Sequence, residues 1–157
     1  MTKFPDLDRT DLDILRLLQK DARILNKQLS AAVGLAPSSC HERVKRLWAS
    51  GLITGTEALI DPARLGYSLS AVIFVNISKA GQLRIDALMD ELIDVPEIRD
   101  VYLVTGQYDL IVSLVARDMD HLKQITYTAL TGRSEITRYE TSVAYTHRRG
   151  RVEIGTA

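Results

Sequence analysis

The chain is predicted to be of the α+β class, with a helical first third and a second half built from strands and helices. Three observations carry this. Leu25 to Gly51, LNKQLSAAVGLAPSSCHERVKRLWASG, reads as two helices joined by a tight turn. Asp61-Pro62-Ala63-Arg64-Leu65-Gly66 is turn chemistry and divides the chain. Beyond it, apolar runs of strand length and helix-periodic stretches follow in the order β-α-β-β-α-β.

Asp8 or Thr10 caps a first helix that runs to about Lys20. Leu12, Leu15 and Leu18 fall at helical spacing, and Ile14 and Leu17 widen the stripe. Asp11 and Asp13 sit in the first turn, where the helix dipole favours negative charge. Asn26 is expected to cap a second helix with Leu29, Ala32 and Val33 inward, and Gly34 ends it. Pro37 opens a third helix, because the first turn leaves its amide position unpaired in any case. Cys40, Val44, Leu47 and Trp48 form its apolar side, and Gly51 stops it. Leu52 to Ile60 favours β structure with Gly55 as a break, so a short hairpin or wing is expected.

In the second half, Leu69 to Ile77 reads as a strand. Leu83 to Ile93 is a helix with Leu83, Ala87, Leu88 and Leu92 on one face, closed by Val95-Pro96. Val101 to Thr105 and Leu110 to Ala116 are strands around Gly106-Gln107-Tyr108-Asp109, and Gly-X is the start of a two-residue hairpin turn. Asp118 caps a helix to about Leu130, and Ile136 to Tyr145 closes the set as a strand. This is the ferredoxin-like split arrangement. The expected organisation is 1–60 winged helix-turn-helix, 61–67 linker and 68–157 α/β domain.

Ala71 to Val75 and Leu110 to Val115 are apolar on both faces. Two helices cover only one face of such a sheet, and a strand that shows its other face to water normally alternates. A second copy packed face to face is the expected cover.

The composition is that of an ordinary globular chain, and 20 basic residues balance 20 acidic ones among 157. Locally the balance fails. Lys20, Arg23, Lys27, Arg43, Lys45 and Arg46 outnumber Asp21 and Glu42 between Lys20 and Gly51. Phosphates are met by nearby side chains, so this local excess is what bears on nucleic acid. A single cysteine, Cys40, excludes an intrachain disulfide and fits a reducing cytoplasm. The start, MTKFPDLDRTD, lacks the apolar core of a signal peptide, and no run suits a membrane span.

The apolar residues of the third helix leave Ser38, Ser39, His41, Glu42, Arg43, Lys45 and Arg46 for solvent or a ligand. Most charge runs are simply solvated. Here the preceding turn and helix suit a helix laid in the DNA major groove, where arginine pairs with guanine edges and serine or lysine holds phosphate. Residues near the start of such a helix reach deepest, which favours Ser38, Ser39 and Glu42 as readers of bases. Cys40 lies on the apolar stripe and is read as core. His41, His121 and His147 show no ligand spacing, so neither a metal site, a cofactor nor a catalytic triad is expected. Asp86, Asp90, Glu91 and Asp94 read as a solvated acidic helix face, and the basic tail His147-Arg148-Arg149-Gly150-Arg151 touches either DNA or another subunit, or neither.

LDRTDLDILRLLQKDAR (Leu7 to Arg23), QLSAAVGLAPSSCHERVKRL (Gln28 to Leu47), GLITG (Gly51 to Gly55) and VTGQYDLIVSLVARDMD (Val104 to Asp120) together resemble the Lrp/AsnC family of transcription regulators, over nearly the whole chain. The resemblance implies an N-terminal winged helix-turn-helix and a C-terminal effector domain. It further implies a homodimer through the C-terminal sheets that assembles to octamers or similar rings, with small effectors, usually amino acids, between C-terminal domains. It makes Gly106, Gln107, Tyr108 and Asp109 an effector loop, although a glycine turn stabilised by its own aspartate is the reading from residues alone. Thr137, Glu140 and Ser142 of the last strand are further contacts on this reading. The turn Leu130-Thr131-Gly132-Arg133-Ser134 departs from the family's Leu-Pro-Gly-Val-like pattern. The rival expectation is a tetrapyrrole enzyme resembling sirohaem decarboxylases, which share the architecture. The basic third helix and only three scattered histidines favour DNA.

Overall fold

The computed structural model describes residues 6–155, so the part of the leader reading that falls on 1–5 lies outside the described residues. The chain forms two compact units. One ends at Leu59 and is rejoined by the tail from Gly150, and the other is Ile60–Arg149. The tail was expected in the second domain.

The first unit holds helices α1 (Arg9–Lys20), α2 (Asn26–Ala32) and α3 (Pro37–Ala49). Asp8 caps α1: its carboxylate accepts the Asp11 N–H at 2.8 Å, and the Asp11 carboxylate accepts the Asp8 N–H at 3.3 Å. Ile14, Leu29, Cys40 and Leu47 are the buried core, with Leu15, Leu17, Leu18, Val33 and Val44 packed against them. Asn26 does not cap α2. Leu25 holds the cap position, its N–H bound at 3.4 Å by the Gln28 side chain, and the Asn26 amide instead donates to the Pro37 carbonyl at 2.8 Å. Ser30 rather than Ala32 is buried, and its hydroxyl is satisfied there by the Lys27 carbonyl at 3.1 Å. Trp48 remains 41% exposed, at the edge of the apolar stripe.

No strand forms between Leu52 and Ile60. A hairpin needs two runs that pair, and Gly55 divides this stretch into pieces too short for a ladder. The tail returns to α1, where Arg16 donates to the carbonyls of Ile154 (3.0 Å) and Gly155 (2.6 Å) and Gln19 donates to that of Val152 (3.0 Å).

The second unit is a four-stranded antiparallel sheet, β1 (Leu69–Ile77), β2 (Ile98–Leu103), β3 (Leu110–Ala116) and β4 (Ile136–Ala144), in the order β2-β3-β1-β4. Helices α4 (Lys79–Gln82), α5 (Ile85–Ile93) and α6 (Met119–Ala129) complete it. Ala71, Ile73, Val75, Leu110, Val112 and Leu114 alternate inward and meet Leu88 and Leu92 of α5 and Leu122, Ile125 and Ala129 of α6. The alternate residues Val72, Phe74, Ile111 and Val115 lie on the opposite face and are partly buried.

The helix expected from Leu83 is broken at Leu83 and Arg84, and Leu83 is 89% exposed. The break follows from a close approach. Gly81 abuts the Glu135 backbone so tightly that a Cβ would lie 2.6 Å from its carbonyl oxygen, and Arg84 then reaches the Glu135 carboxylate at 2.6 Å. The turn between β2 and β3 is also longer than two residues. Val104 N–H bonds the Asp109 carbonyl at 2.9 Å and closes a loop over Thr105 to Tyr108.

Candidate functional sites

The α3 face is built by three local devices. Pro37 starts the helix, Cys40 and Leu47 anchor one side in the core, and Gly51 at φ +74 ends the last turn. Ser38, Ser39, His41, Glu42 and Lys45 are exposed on the other side. Lys45 has no ion-pair partner among the described residues. Two exposed serines in the first turn and an exposed lysine about two turns further along the same helix match the chemistry of base edges and phosphate.

Arg43 and Arg46 are placed differently. Arg43 donates to the carboxylates of Asp8 at 2.6 Å and Asp11 at 2.9 Å, and Arg46 donates to Asp11 at 2.5 Å. The hydrogen bond from Arg43, with that from the Asp11 amide, holds the Asp8 carboxyl below its ordinary value of 3.8. The same pairs hold the Arg43 guanidinium more firmly protonated. Asp11 was read only as a first-turn acid. Its burial was signalled by its spacing, three and four residues before Ile14 and Leu15 on the inward stripe. Burial raises the Cys40 thiol, as expected of a core cysteine.

In the second unit the loop and the start of β4 come together at the end of β1. Gly106 adopts φ +127, open only to glycine, and its position is exposed. The Asp109 carboxylate accepts the Ile77 N–H at 2.8 Å, so it fastens the loop to β1 rather than closing its own turn. Asn76, absent from the sequence reading, is the hub. Its amide donates to the Gln107 carbonyl at 2.8 Å, and its own carbonyl accepts the Thr137 hydroxyl at 3.1 Å. A polar residue next to the end of an apolar strand was the available signal. The Tyr108 hydroxyl donates to Glu140 at 3.0 Å, which raises the phenol above its ordinary 10. The Tyr108 ring lies 5.0 Å from that of Phe74, and Arg138 pairs with Glu140. Ser142 stands opposite Val72 on the same face, further along the strand and outside this bonded cluster.

Among the described residues no group of three or more His, Cys, Asp or Glu could hold a metal ion, and no helix is long and apolar enough to cross a membrane. His121 is engaged locally. It accepts the Arg117 N–H at 3.2 Å and lies 3.4 Å from Glu97.

Residues 7–54 match a family model described as winged helix-turn-helix DNA-binding, and residues 70–150 match one described as the Lrp/AsnC ligand binding domain. The chain is 38% identical over 145 residues to the HTH-type transcriptional regulator AldR of Mycolicibacterium smegmatis, covering 92% of this chain and 85% of that one. It is 36% identical over 120 residues to the leucine-responsive regulatory protein of Escherichia coli, covering 76% and 73%. Among solved structures it is similar to a Neisseria meningitidis transcriptional regulator in complex with L-Met, at TM-score 0.84 and 27% identity over 92% of this chain and 93% of that one. It is also similar to E. coli AsnC, at TM-score 0.83 and 25% identity over 95% and 99%. The relatives are named as regulators, and nothing in them supports the tetrapyrrole alternative. With a DNA-binding helical unit, a ligand-binding α/β unit and these relatives, the chain belongs to the Lrp/AsnC family of DNA-binding transcription regulators.

Proposed function

We propose that this regulator acts in the cytoplasm as a homodimer that assembles further, to an octamer, and that an amino acid tunes its grip on DNA. The observation that carries the reading is the exposed row Ser38, Ser39, His41, Glu42 and Lys45 on a proline-led helix of a DNA-binding unit. These five residues meet the duplex, with the serines and Glu42 nearest the bases and Lys45 on phosphate.

The partly apolar open face with Val72, Phe74, Ile111 and Val115 supports pairing of two sheets. Paired units then read a roughly palindromic site. The cluster of Gly106, Gln107, Tyr108, Asp109, Thr137 and Glu140, with Ser142 beside it, is the effector site of this reading. An L-Met complex of a similar regulator and the name of the leucine-responsive one support an amino acid there. Binding shifts the assembly between states of different DNA affinity.

The test is a thermal-shift screen with the common amino acids, paired with light scattering for mass, and selection of duplex sites from a random pool. One amino acid raising the melting temperature, a mass of two or more chains and an enriched palindrome are expected. A monomer that selects no sequence and responds to no amino acid contradicts the reading.

A further inference from the structure

Four charged side chains bridge α1 and α3. Asp11 is fully buried, its Oδ1 bound by Arg43 at 2.9 Å and its Oδ2 by Arg46 at 2.5 Å. Arg43 also holds Asp8 at 2.6 Å. Two carboxylates meet two guanidiniums, so the cluster carries no net charge. Arg43 and Arg46 lie one turn apart, and one buried acid therefore grips one edge of α3 at two points. Rolling α3, or sliding it along α1, breaks at least one bond. That leaves a desolvated carboxylate short of partners, which is among the costlier defects a small domain can carry.

We propose that Asp11 is a positioning residue for DNA recognition: it fixes the angle at which α3 presents its outer face and withholds Arg43 and Arg46 from phosphate. This rests on α3 being the DNA-contact helix. A guanidinium already paired with a protein carboxylate neutralises no phosphate and so releases no cation condensed on the DNA, and it adds little to the salt dependence of binding. A phosphate offered at the surface does not compensate a buried carboxylate for a lost partner, because exposed ion pairs are weak. Arg46, whose side chain is 59% exposed, thus looks available to DNA yet is committed to Asp11. Lys45, one residue before it, is uncommitted among the described residues.

The experiment measures binding of the full chain to a duplex of arbitrary sequence between about 50 and 200 mM salt, with variants checked by circular dichroism melting. Lys45→Ala should flatten the slope of log affinity against log salt by about 1 per chain. Arg43→Ala and Arg46→Ala should leave that slope unchanged. Asp11→Asn should steepen it by up to about 0.9 per freed arginine. The same variant should select a less defined site from a random pool, because its helix is less firmly oriented. If Arg43→Ala or Arg46→Ala flattens the slope as Lys45→Ala does, or a folded Asp11→Asn leaves it unchanged, the proposal is overturned. Should Asp11→Asn fail to fold, the two arginine variants decide alone. An unchanged slope in Lys45→Ala instead removes α3 from the DNA and overturns the underlying reading with it.

Discussion

Replacing Asp109 separates two roles that one carboxylate can hold. Its Oδ2 accepts the Ile77 N–H at 2.8 Å, while its backbone bonds Val75 and Val104, each at 2.9 Å. Asp109→Ala leaves the backbone bonds possible and orphans the Ile77 N–H. An unsatisfied, part-buried donor costs about 1–3 kcal/mol. Asp109→Asn keeps an oxygen at the same place without the charge. Its cost should be below about 1 kcal/mol, the difference between a charge-assisted and a neutral bond. Urea unfolding followed on the second unit reads both values. A thermal-shift titration with the amino acid found by screening then reads the ligand. If Asp109 also receives the effector's ammonium group, Asp109→Asn folds normally and loses the ligand shift. Equal destabilisation by Asn and Ala would refute the hydrogen-bond argument, and a full ligand shift in Asp109→Asn would remove the carboxylate from the effector site.

Ile14→Ala removes a fully buried side chain from a core whose buried part is Ile14, Leu29, Cys40 and Leu47. The expected loss of about 2–5 kcal/mol is comparable with the whole stability of about 3–9 kcal/mol typical of some 60 residues, so the first unit should unfold early in calorimetry while the transition of the second stays in place. A single transition shifted as a whole would contradict this. The lowered Asp8 carboxyl contributes stability that is complete above its ordinary 3.8 and lost as pH falls through its lowered folded value. Asp8→Asn should therefore melt below the wild-type chain at neutral pH and converge with it in acid, and parallel curves throughout would refute the assignment. Gly81→Ala forces a Cβ to within 2.6 Å of the Glu135 carbonyl oxygen. It should cost about 1–3 kcal/mol in urea unfolding, and a neutral effect would contradict the close approach.

The legible parts of this fold were those written in local periodicity. β1 and β3 begin and end where their apolar runs do, and Pro37, Asp118 and Gly51 punctuate helices as their chemistry requires. What the sequence concealed was tertiary. The exposure of Leu83 depends on a helix break set by Gly81 meeting Glu135, some 50 residues away. Asn26 looked like a cap because its type favours caps, yet Gln28 serves that end and frees Asn26 to tie α2 to α3. The basic face of α3 was visible, but not that Arg43 and Arg46 are held by acids of α1 more than 30 residues earlier. In the second unit the residues of Gly106–Asp109 read only as a turn and the family resemblance alone made them an effector loop, whereas Asn76 became visible only when β1 brought it beside Gln107 and Thr137.

Sedimentation of the full chain with a duplex carrying its selected site, at low salt and micromolar protein, tests the central claim most directly. The account predicts a complex with at least two chains per site that is weakened by Lys45→Ala. Free duplex sedimenting beside a single-chain species would contradict it.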